Sequence, residues 1–473
     1  MTSAELARPV VAAAVAMASS AAASAVKSVG PLGFPFKTQD PFLFCVYHKD
    51  MYPAGNASNM FAPRKGNGAD FDWSAPYRMY HGDRLPGFPQ HPHRGFETLT
   101  LVQEGVCDHT DSLGAAGRYG GDGRRGDLQW MTAGAGCVHG ENFPLVKTDR
   151  PNTLRLFQIC ERGVTCWACD RAAAQQPISL LTHALPLSPL AGLNLPAKSK
   201  FAPPGYKMSW AEEMVFVAGE RGAECEVAAG RLGAARASAP PPPHSWAAEE
   251  RNDVGVYYVT LPPGGGRFVL PAAAEGAAVS RSAFVVEAAT AGASGVSVGG
   301  RAVPAGGRAA FELRGERECE LLNEHASEPA HVLVLQGRPI EEPVAQHGPF
   351  VMNTQAEIRQ AFADYQRTQF GGWPWPEDAV AFPRSQGRFA DMIVNGVKVR
   401  EEPPARKGDG GAGDAPAAPA AAPLSPEAMS VKQLKAALAA RGVPIAGLAE
   451  KDDLVAALVA AGAAAGAAGA AEL

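Results

Sequence analysis

The sequence predicts an all-β protein with two barrel-like domains, followed by a small helical module. Short strand-like runs recur between turns in two separate parts of the chain, glycine is dense in the intervening turns, and the pattern changes to helical spacing near the C-terminus. With 473 residues, of which 46% are hydrophobic, the chain can form at least two buried cores.

The first strand-rich region extends from residue 41 to about residue 156. Residues 42–47 are aromatic and β-branched, residues 97–102 alternate polar with apolar side chains, and residues 128–132 follow a turn. Glycines between positions 114 and 126 suit tight turns. Regular short strands of this kind predict a β-barrel or a β-sandwich.

A second region of similar size extends from about residue 255 to residue 336 and predicts a second barrel. Its strand-like runs are residues 256–261, 267–270, 283–287 and 331–335. The segment between the barrels, residues 160–240, is poorly patterned, and residues 239–243 form a polyproline stretch expected in a spacer or an edge loop.

Helical spacing appears after the second barrel. Apolar residues within 354–365 recur at helical intervals and predict a short helix, which Gly371 and Gly372 terminate. Farther on, Ser430 can cap a helix with Gln433 at the capping-box position, and a second apolar face covers residues 450–459. A small helical unit is therefore expected near the C-terminus.

These patterns predict six segments. They are a leader or transit peptide (1–35), an N-terminal domain (36–200), a C-terminal domain (201–400), a disordered linker (401–427), a helical module (428–460) and an Ala/Gly tail (461–473). The Ala- and Ser-rich leader is typical of an organelle transit peptide or of a disordered leader. No segment is long and apolar enough to predict a membrane span.

Charge and cysteine content exclude several classes of protein. The formal net charge is −5, so the chain lacks the overall basic character that binds nucleic-acid phosphates. Eight irregularly spaced cysteines are too few for a disulfide scaffold and indicate a reducing compartment. Cys166 and Cys169 form one CxxC motif, which without a second pair is more typical of incidental thiols than of a metal or redox site.

The most informative motif is His91-Pro92-His93, followed by His139-Gly140-Glu141. Two imidazoles one residue apart on a β-strand point to the same side, because strand side chains alternate with period two. A His-x-Glu pair on a facing strand can do the same. Three nitrogens and one carboxylate suit a redox-active first-row metal with open coordination positions.

Two blocks of sequence resemble the paired signatures of the cupin superfamily: residues 91–98, and residues 126–134 leading to His139. The more specific resemblance is to pirins, which match residues 91–98 and 126–141 nearly residue for residue and match again from residue 334 to residue 375. This resemblance implies a bicupin, that is, two packed antiparallel jelly-roll barrels. It also implies a single metal, usually iron, in the N-terminal barrel.

By matching position, the resemblance assigns His91, His93, His139 and Glu141 as metal ligands. Glu97, which a generic cupin would recruit, is expected near the site but not as a ligand. The second barrel lacks a His-x-His motif and is expected to bind no metal. From residue 160 to about residue 206 the chain departs from the family pattern, which would leave the N-terminal barrel short of a strand.

Several pirins cleave quercetin with dioxygen, so the resemblance implies an iron(II) enzyme of the quercetin 2,3-dioxygenase type, with other divalent first-row metals as alternatives. Glu141 would be both ligand and proton acceptor. Phe96, Trp130 and Met131 are candidates for apolar walls of the site, although a plain core role is the favoured interpretation of all three.

The alternative function is a redox-sensing regulator that binds a transcription factor or a metabolic enzyme. The module at 428–460 resembles a degenerate SAP-like unit, a helical module found on nucleic-acid-associated and other proteins. It contains few basic residues, so protein binding is at least as well supported as nucleic-acid contact. We expect a monomer in the cytoplasm or nucleus, or in a plastid or mitochondrion if the leader acts as a transit peptide.

Overall fold

The computed structural model describes residues 24–56, 58–61, 76–77, 85–159, 192–290, 294–394 and 397–405, together with residues 438, 453 and 455–456. Residues 1–409 form one compact unit and residues 410–473 form another. The four described residues of the second unit are helical. Several predicted features lie outside the described residues: the first 23 residues of the leader, most of the linker, the rest of the helical module, the tail and the CxxC motif.

The strands of the first half, in chain order, are β1 (Val26–Gly30), β2 (Phe36–Lys37), β3 (Phe44–Tyr52), β4 (Gly87–His93), β5 (Phe96–Asp111), β6 (Ala116–Thr132), β7 (Cys137–Asn142), β8 (Asn152–Ile159), β9 (Leu193–Asn194) and β10 (Gly205–Ser209). Next come β11 (Val215–Ala218), β12 (Glu224–Ala229), β13 (Arg231–Leu232) and β14 (Ala235–Arg236).

The remaining strands are β15 (Gly255–Leu261), β16 (Gly266–Leu270), β17 (Ser280–Glu287), β18 (Val296–Val298), β19 (Arg301–Ala302), β20 (Ala309–Arg314), β21 (Cys319–Asn323), β22 (Ala330–Gly337), β23 (Ala345–His347), β24 (Phe350–Met352), β25 (Phe389–Val394) and β26 (Val397–Glu401). One α-helix, α1 (Gln355–Thr368), is described in this region, with short 3-10 helices at Ala197–Ser199, Trp246–Ala248, Glu250–Asn252, Gly276–Ala278 and Gln369–Gly371.

Antiparallel sheets make up both domains. The N-terminal sheet has the order β2-β3-β8-β5-β6-β25-β26, with β10 on β6, β7 on β4 and β5, and β9 on β5. The C-terminal domain has a sheet ordered β1-β20-β17-β22-β15-β12-β11 and a smaller one ordered β16-β21-β18-β19. The predicted all-β class with two β domains is confirmed, and the pairings among the described strands follow open paths.

Strand alternation explains where the cores lie. On β15, Tyr257 and Val259 point into the core of the C-terminal domain, while Val256 and Tyr258 point the other way. Those two side chains join Leu99 and other N-terminal residues in a second apolar core. Residues 256–259 are continuously apolar because both faces of β15 are buried, which is typical of a central strand between two layers.

The two domains exchange their terminal strands. Strand β1 pairs with β20 of the C-terminal sheet, with Val29 opposite Phe311. Strand β25 pairs with β6 of the N-terminal sheet, with Phe389 opposite Arg118. Residues 26–30, predicted to belong to the leader, therefore form a strand of the C-terminal sheet. Their strand depends on partners almost three hundred residues away, which no local pattern reveals.

The poorly patterned segment also contains strands. Strand β10 pairs along its length with the end of β6, with Tyr206 opposite Met131. The N-terminal domain thus gains a strand from residues beyond the predicted boundary at residue 200. The strands from β9 to β14 are two to six residues long, too short to show a clear alternation.

Helix α1 confirms the predicted helix near residue 354. Thr354 is the N-cap, and its side chain accepts a hydrogen bond from the Glu357 backbone while the Glu357 side chain accepts from the Thr354 backbone, which completes a capping box. Ile358 and Ala361 are buried on the apolar face. None of the described helices is long and apolar enough to cross a membrane.

Candidate metal centre

Two neighbouring antiparallel strands bring the predicted ligands together. His91 and His93 lie on β4, His139 lies on β7, and His91 is directly opposite His139 in the register. The ring centroids are 4.8 Å apart for His91 and His93, 4.5 Å for His91 and His139, and 4.9 Å for His93 and His139. One ring nitrogen from each histidine lies within 4.8 Å of the others, close enough to share one ion.

Glu141 belongs to a second group that overlaps the first. It lies two residues beyond His139 on β7, directly opposite His109 of β5. His109, His139 and Glu141 can also offer ligand atoms within 4.8 Å of one another. His139 thus joins the two groups, and the four predicted residues occupy one buried region.

Burial keeps these imidazoles neutral. Removal from water, together with the neighbouring His93, lowers the pKa of His91 to about 3. Burial lowers the pKa of His93 to about 4 even though Glu141 opposes the shift, and burial also places the pKa of His139 well below its ordinary value. Neutral imidazole is the form that binds a metal, so no protons have to leave at neutral pH.

Hydrogen bonds indicate which nitrogens remain for a ligand. The Nδ1 of His91 lies 2.8 Å from the carbonyl oxygen of Pro89, to which it can donate, and this leaves Nε2 as the acceptor. Both ring nitrogens of His139 are buried without a hydrogen-bond partner among the described residues. Buried polar atoms of this kind are costly unless a metal or another ligand satisfies them.

The Glu141 carboxylate is held by three donors. Oε1 accepts hydrogen bonds from Thr100 Oγ1 and Tyr119 Oη, both at 3.0 Å, and Oε2 accepts from Gln158 Nε2 at 2.9 Å. Each of these bonds is buried. Sequence reasoning did not identify these donors, because only the pairing of β5 with β6 and β8 brings them beside β7.

His109 is a further residue that sequence reasoning missed. Its Nδ1 lies 3.0 Å from Gln129 Nε2, its Nε2 lies 3.6 Å from an Asp111 oxygen, and its ring stacks on Tyr206 with centroids 4.9 Å apart. Gln129 therefore engages Nδ1, whereas Nε2 is buried without a hydrogen-bond partner among the described residues, as are the nitrogens of His139, and remains open to a ligand. The period-two spacing from Asp111 on the same strand is the only sequence feature that could have drawn attention to it.

Glu97 lies outside both groups of potential ligands. Its carboxylate accepts hydrogen bonds from Thr132 Oγ1 and Ser245 Oγ. Burial raises its pKa to about 7, although both hydroxyls oppose the shift. This acid therefore connects the N-terminal sheet to a loop of the C-terminal half.

The three apolar candidates occupy different places. The ring of Phe96 is 5.1 Å from that of His93 and borders the cluster. Trp130 is part of the apolar core between the domains. Met131 packs with Ala133 and Cys137. Only Phe96 is placed by these contacts as a wall beside the histidines.

The C-terminal half covers the edge of this region. Arg94, next to His93, donates to Asp364 of α1 and to the carbonyl oxygen of Ala135, and its guanidinium lies 4.5 Å from the centre of the Phe370 ring. Gln90 donates to Asp378. Residues after the second barrel therefore hold the strand that carries His91 and His93.

Comparison with known proteins places the chain in a family. The Pirin family model matches residues 39–160, the Pirin C-terminal cupin domain model matches residues 272–371, and the SAP domain model matches residues 425–461. A pirin-like protein of Caulobacter vibrioides is 31% identical over 292 residues, which cover 61% of this chain and 82% of that protein. The chain belongs to the pirin family.

Other pirin relatives extend the similarity. A Pseudomonas aeruginosa protein named "Putative quercetin 2,3-dioxygenase" is 34% identical over 60% of this chain and 80% of its own length. Pirin-1 of Arabidopsis thaliana is 31% identical over 60% of this chain and 78% of its own length. The crystal structure of a quercetin 2,3-dioxygenase from Acinetobacter baumannii covers 74% of this chain and 99% of its own, with a TM-score of 0.51 and 24% identity, and supports the fold.

Proposed function

We propose that this pirin is a metal-dependent dioxygenase of the quercetin 2,3-dioxygenase type, with its metal held by His91, His93, His139 and Glu141. The observation that carries the proposal is the convergence of three buried, neutral imidazoles beside a buried carboxylate. The Pseudomonas aeruginosa relative that is named a putative quercetin 2,3-dioxygenase supports the choice of reaction.

The donor set supports iron(II) and is compatible with other divalent first-row metals. Three imidazole nitrogens and one carboxylate oxygen suit such ions and leave coordination positions open. The two unsatisfied nitrogens of His139 and the hydrogen-bonded Nδ1 of His91 fit this assignment. When bound, the metal would supply a Lewis-acid and redox centre for the reaction of a flavonol with dioxygen.

The protein's own residues would orient the substrate and manage its proton. An ionised carboxylate has about four lone-pair sites. Three of those on Glu141 are occupied by Thr100, Tyr119 and Gln158, so about one remains for the metal or for a proton. Glu141 would therefore act as ligand and as acceptor of the flavonol 3-hydroxyl proton in turn, while Phe96 limits space beside His93.

Turnover tests this proposal. The chain is loaded anaerobically with iron(II), quercetin and oxygen are added, and loss of flavonol absorbance is followed together with release of carbon monoxide. The matched controls are His93→Ala, expected to lose turnover, and His244→Ala at an exposed histidine, expected to retain it. Stoichiometric metal with no loss of flavonol would refute the enzymatic function.

The SAP match favours a second function, a regulatory binding protein that contacts nucleic acid. The SAP domain model covers residues 425–461, which lie almost entirely outside the described residues. The test compares DNA retention by the full chain with that by a chain ending at residue 409. Retention that is lost on truncation and falls with added salt would support nucleic-acid contact. Equal retention by both chains would argue against it.

A further inference from the structure

Cys107 and Tyr119 form a buried pair next to the candidate metal centre. They are directly opposite each other on β5 and β6. Side chains of such a pair share one face of the sheet, with their Cβ atoms about 4.5–5.5 Å apart. Both residues are fully buried in the same apolar cluster.

Tyr119 also connects this pair to the centre. Its hydroxyl donates a hydrogen bond of 3.0 Å to Glu141 Oε1, so the phenol is one hydrogen bond from a proposed metal ligand. Cys107 is a free thiol, and the other described cysteines are free as well. An oxidisable thiol and an oxidisable phenol are therefore enclosed together, away from solvent thiols that would reduce or cap them.

We propose that Cys107 and Tyr119 become joined by a thioether bond when the metal-loaded chain meets dioxygen, an inference that rests on the proposed metal-dependent function. The bond forms between Cys107 Sγ and a Tyr119 ring carbon ortho to the hydroxyl group. The S–H and the ring C–H bonds break, and their two protons and two electrons reduce one dioxygen to hydrogen peroxide. The tyrosine keeps its hydroxyl and is fixed against the Glu141 carboxylate.

The C-terminal domain contains an internal control pair. Cys225 on β12 and Tyr257 on β15 are both fully buried in one apolar core, and Cys225 lies diagonally from Tyr257 across the strand pair. The Tyr257 hydroxyl donates to the carbonyl oxygen of Arg231. Neither of the potential metal-binding groups among the described residues includes a residue of this domain. This pair should stay unmodified.

Peptide mass spectrometry tests the inference. Full-length chain is loaded with iron(II), and one half is kept anaerobic while the other is exposed to oxygen. Each half is then denatured, alkylated with iodoacetamide and digested with trypsin. Cleavage after arginine yields residues 95–118, with Cys107 as the only cysteine, and residues 119–124, with Tyr119 as the only tyrosine.

We expect the oxygen-exposed half to contain these two peptides joined, lighter than their sum by the mass of two hydrogen atoms, with alkylated Cys107 lost in proportion. Cys225 should remain fully alkylated in both halves. The Tyr119→Phe and Cys107→Ser chains should show no joined peptide.

Full alkylation of Cys107 in the iron-loaded, oxygen-exposed chain would overturn the inference, whether or not quercetin is consumed. A joined peptide in the anaerobic half, or in chain prepared without metal, would overturn the metal-dependent route. A joined peptide without flavonol turnover would support the thioether and overturn only the quercetin 2,3-dioxygenase assignment, so the two failures are distinguishable.

Discussion

Removing the Tyr119 hydroxyl should weaken metal binding without removing a ligand. A hydrogen bond to a charged group contributes about 1.5–3 kcal/mol, and partners that orient a ligand typically change metal affinity by about 10- to 100-fold. In Tyr119→Phe, Thr100 still donates to Oε1 and Gln158 to Oε2. The hydrogen bond from Tyr119 to Glu141 is present with and without metal, so its loss weakens both states. We therefore expect the lower end of the 10- to 100-fold range, an increase of about tenfold in the metal Kd.

The assay is anaerobic competition with a chelator, so that Cys107 stays reduced. Tyr258→Phe is the matched control, because Tyr258 is equally buried and its hydroxyl has no hydrogen-bond partner among the described residues. Tyr258→Phe should leave the metal Kd unchanged. If Tyr119→Phe binds metal with a Kd within about twofold of the wild-type value, the hydrogen bond from Tyr119 does not position Glu141 as a ligand.

Two further predictions concern stability. Burial raises the pKa of Glu226 to about 8, so between pH 4.5 and 8 the folded chain holds a proton that the unfolded chain has lost, and the free energy of unfolding falls as pH rises. In urea titrations, the free energy of unfolding of Glu226→Gln should lack this pH dependence. It should exceed that of the wild type by roughly 3–5 kcal/mol at pH 8 and above, because one pKa unit corresponds to about 1.4 kcal/mol. A gain of equal size at pH 4 would contradict this prediction. Val26→Ala should lower the free energy of unfolding by about 2 kcal/mol, because the Val26 side chain is buried on β1. Val29→Ala should lower it little, because the Val29 side chain is exposed. Equal losses in the two variants would argue against the pairing of β1 with β20.

Much of the fold was predictable because its strands carry local patterns. The predicted runs at residues 256–261 and 331–335 lie within β15 and β22. Helix α1 begins directly after Thr354, which forms its capping box with Glu357. The convergence of His91 and His93 also followed from period two on one strand. These features depend on residues that are close in the sequence, so they can be predicted from the sequence of one chain.

The remaining features depend on long-range pairing. β1 and β25 each pair with a strand that is distant in the sequence, and the residues of neither segment identify that partner. His109 and Tyr119 reach Glu141 only because β5 pairs with both β6 and β7. Motif spacing indicated the candidate ligands but not the hydrogen bonds that orient them.

Metal stoichiometry in histidine variants tests the central claim most directly. The wild-type chain is loaded anaerobically with iron(II), desalted and measured by elemental analysis beside His91→Ala and His139→Ala. We predict one metal per wild-type chain and loss of metal in both variants, with the C-terminal domain still folded by circular dichroism and protease resistance. Full retention of metal in both folded variants would contradict the assignment of His91 and His139 as ligands.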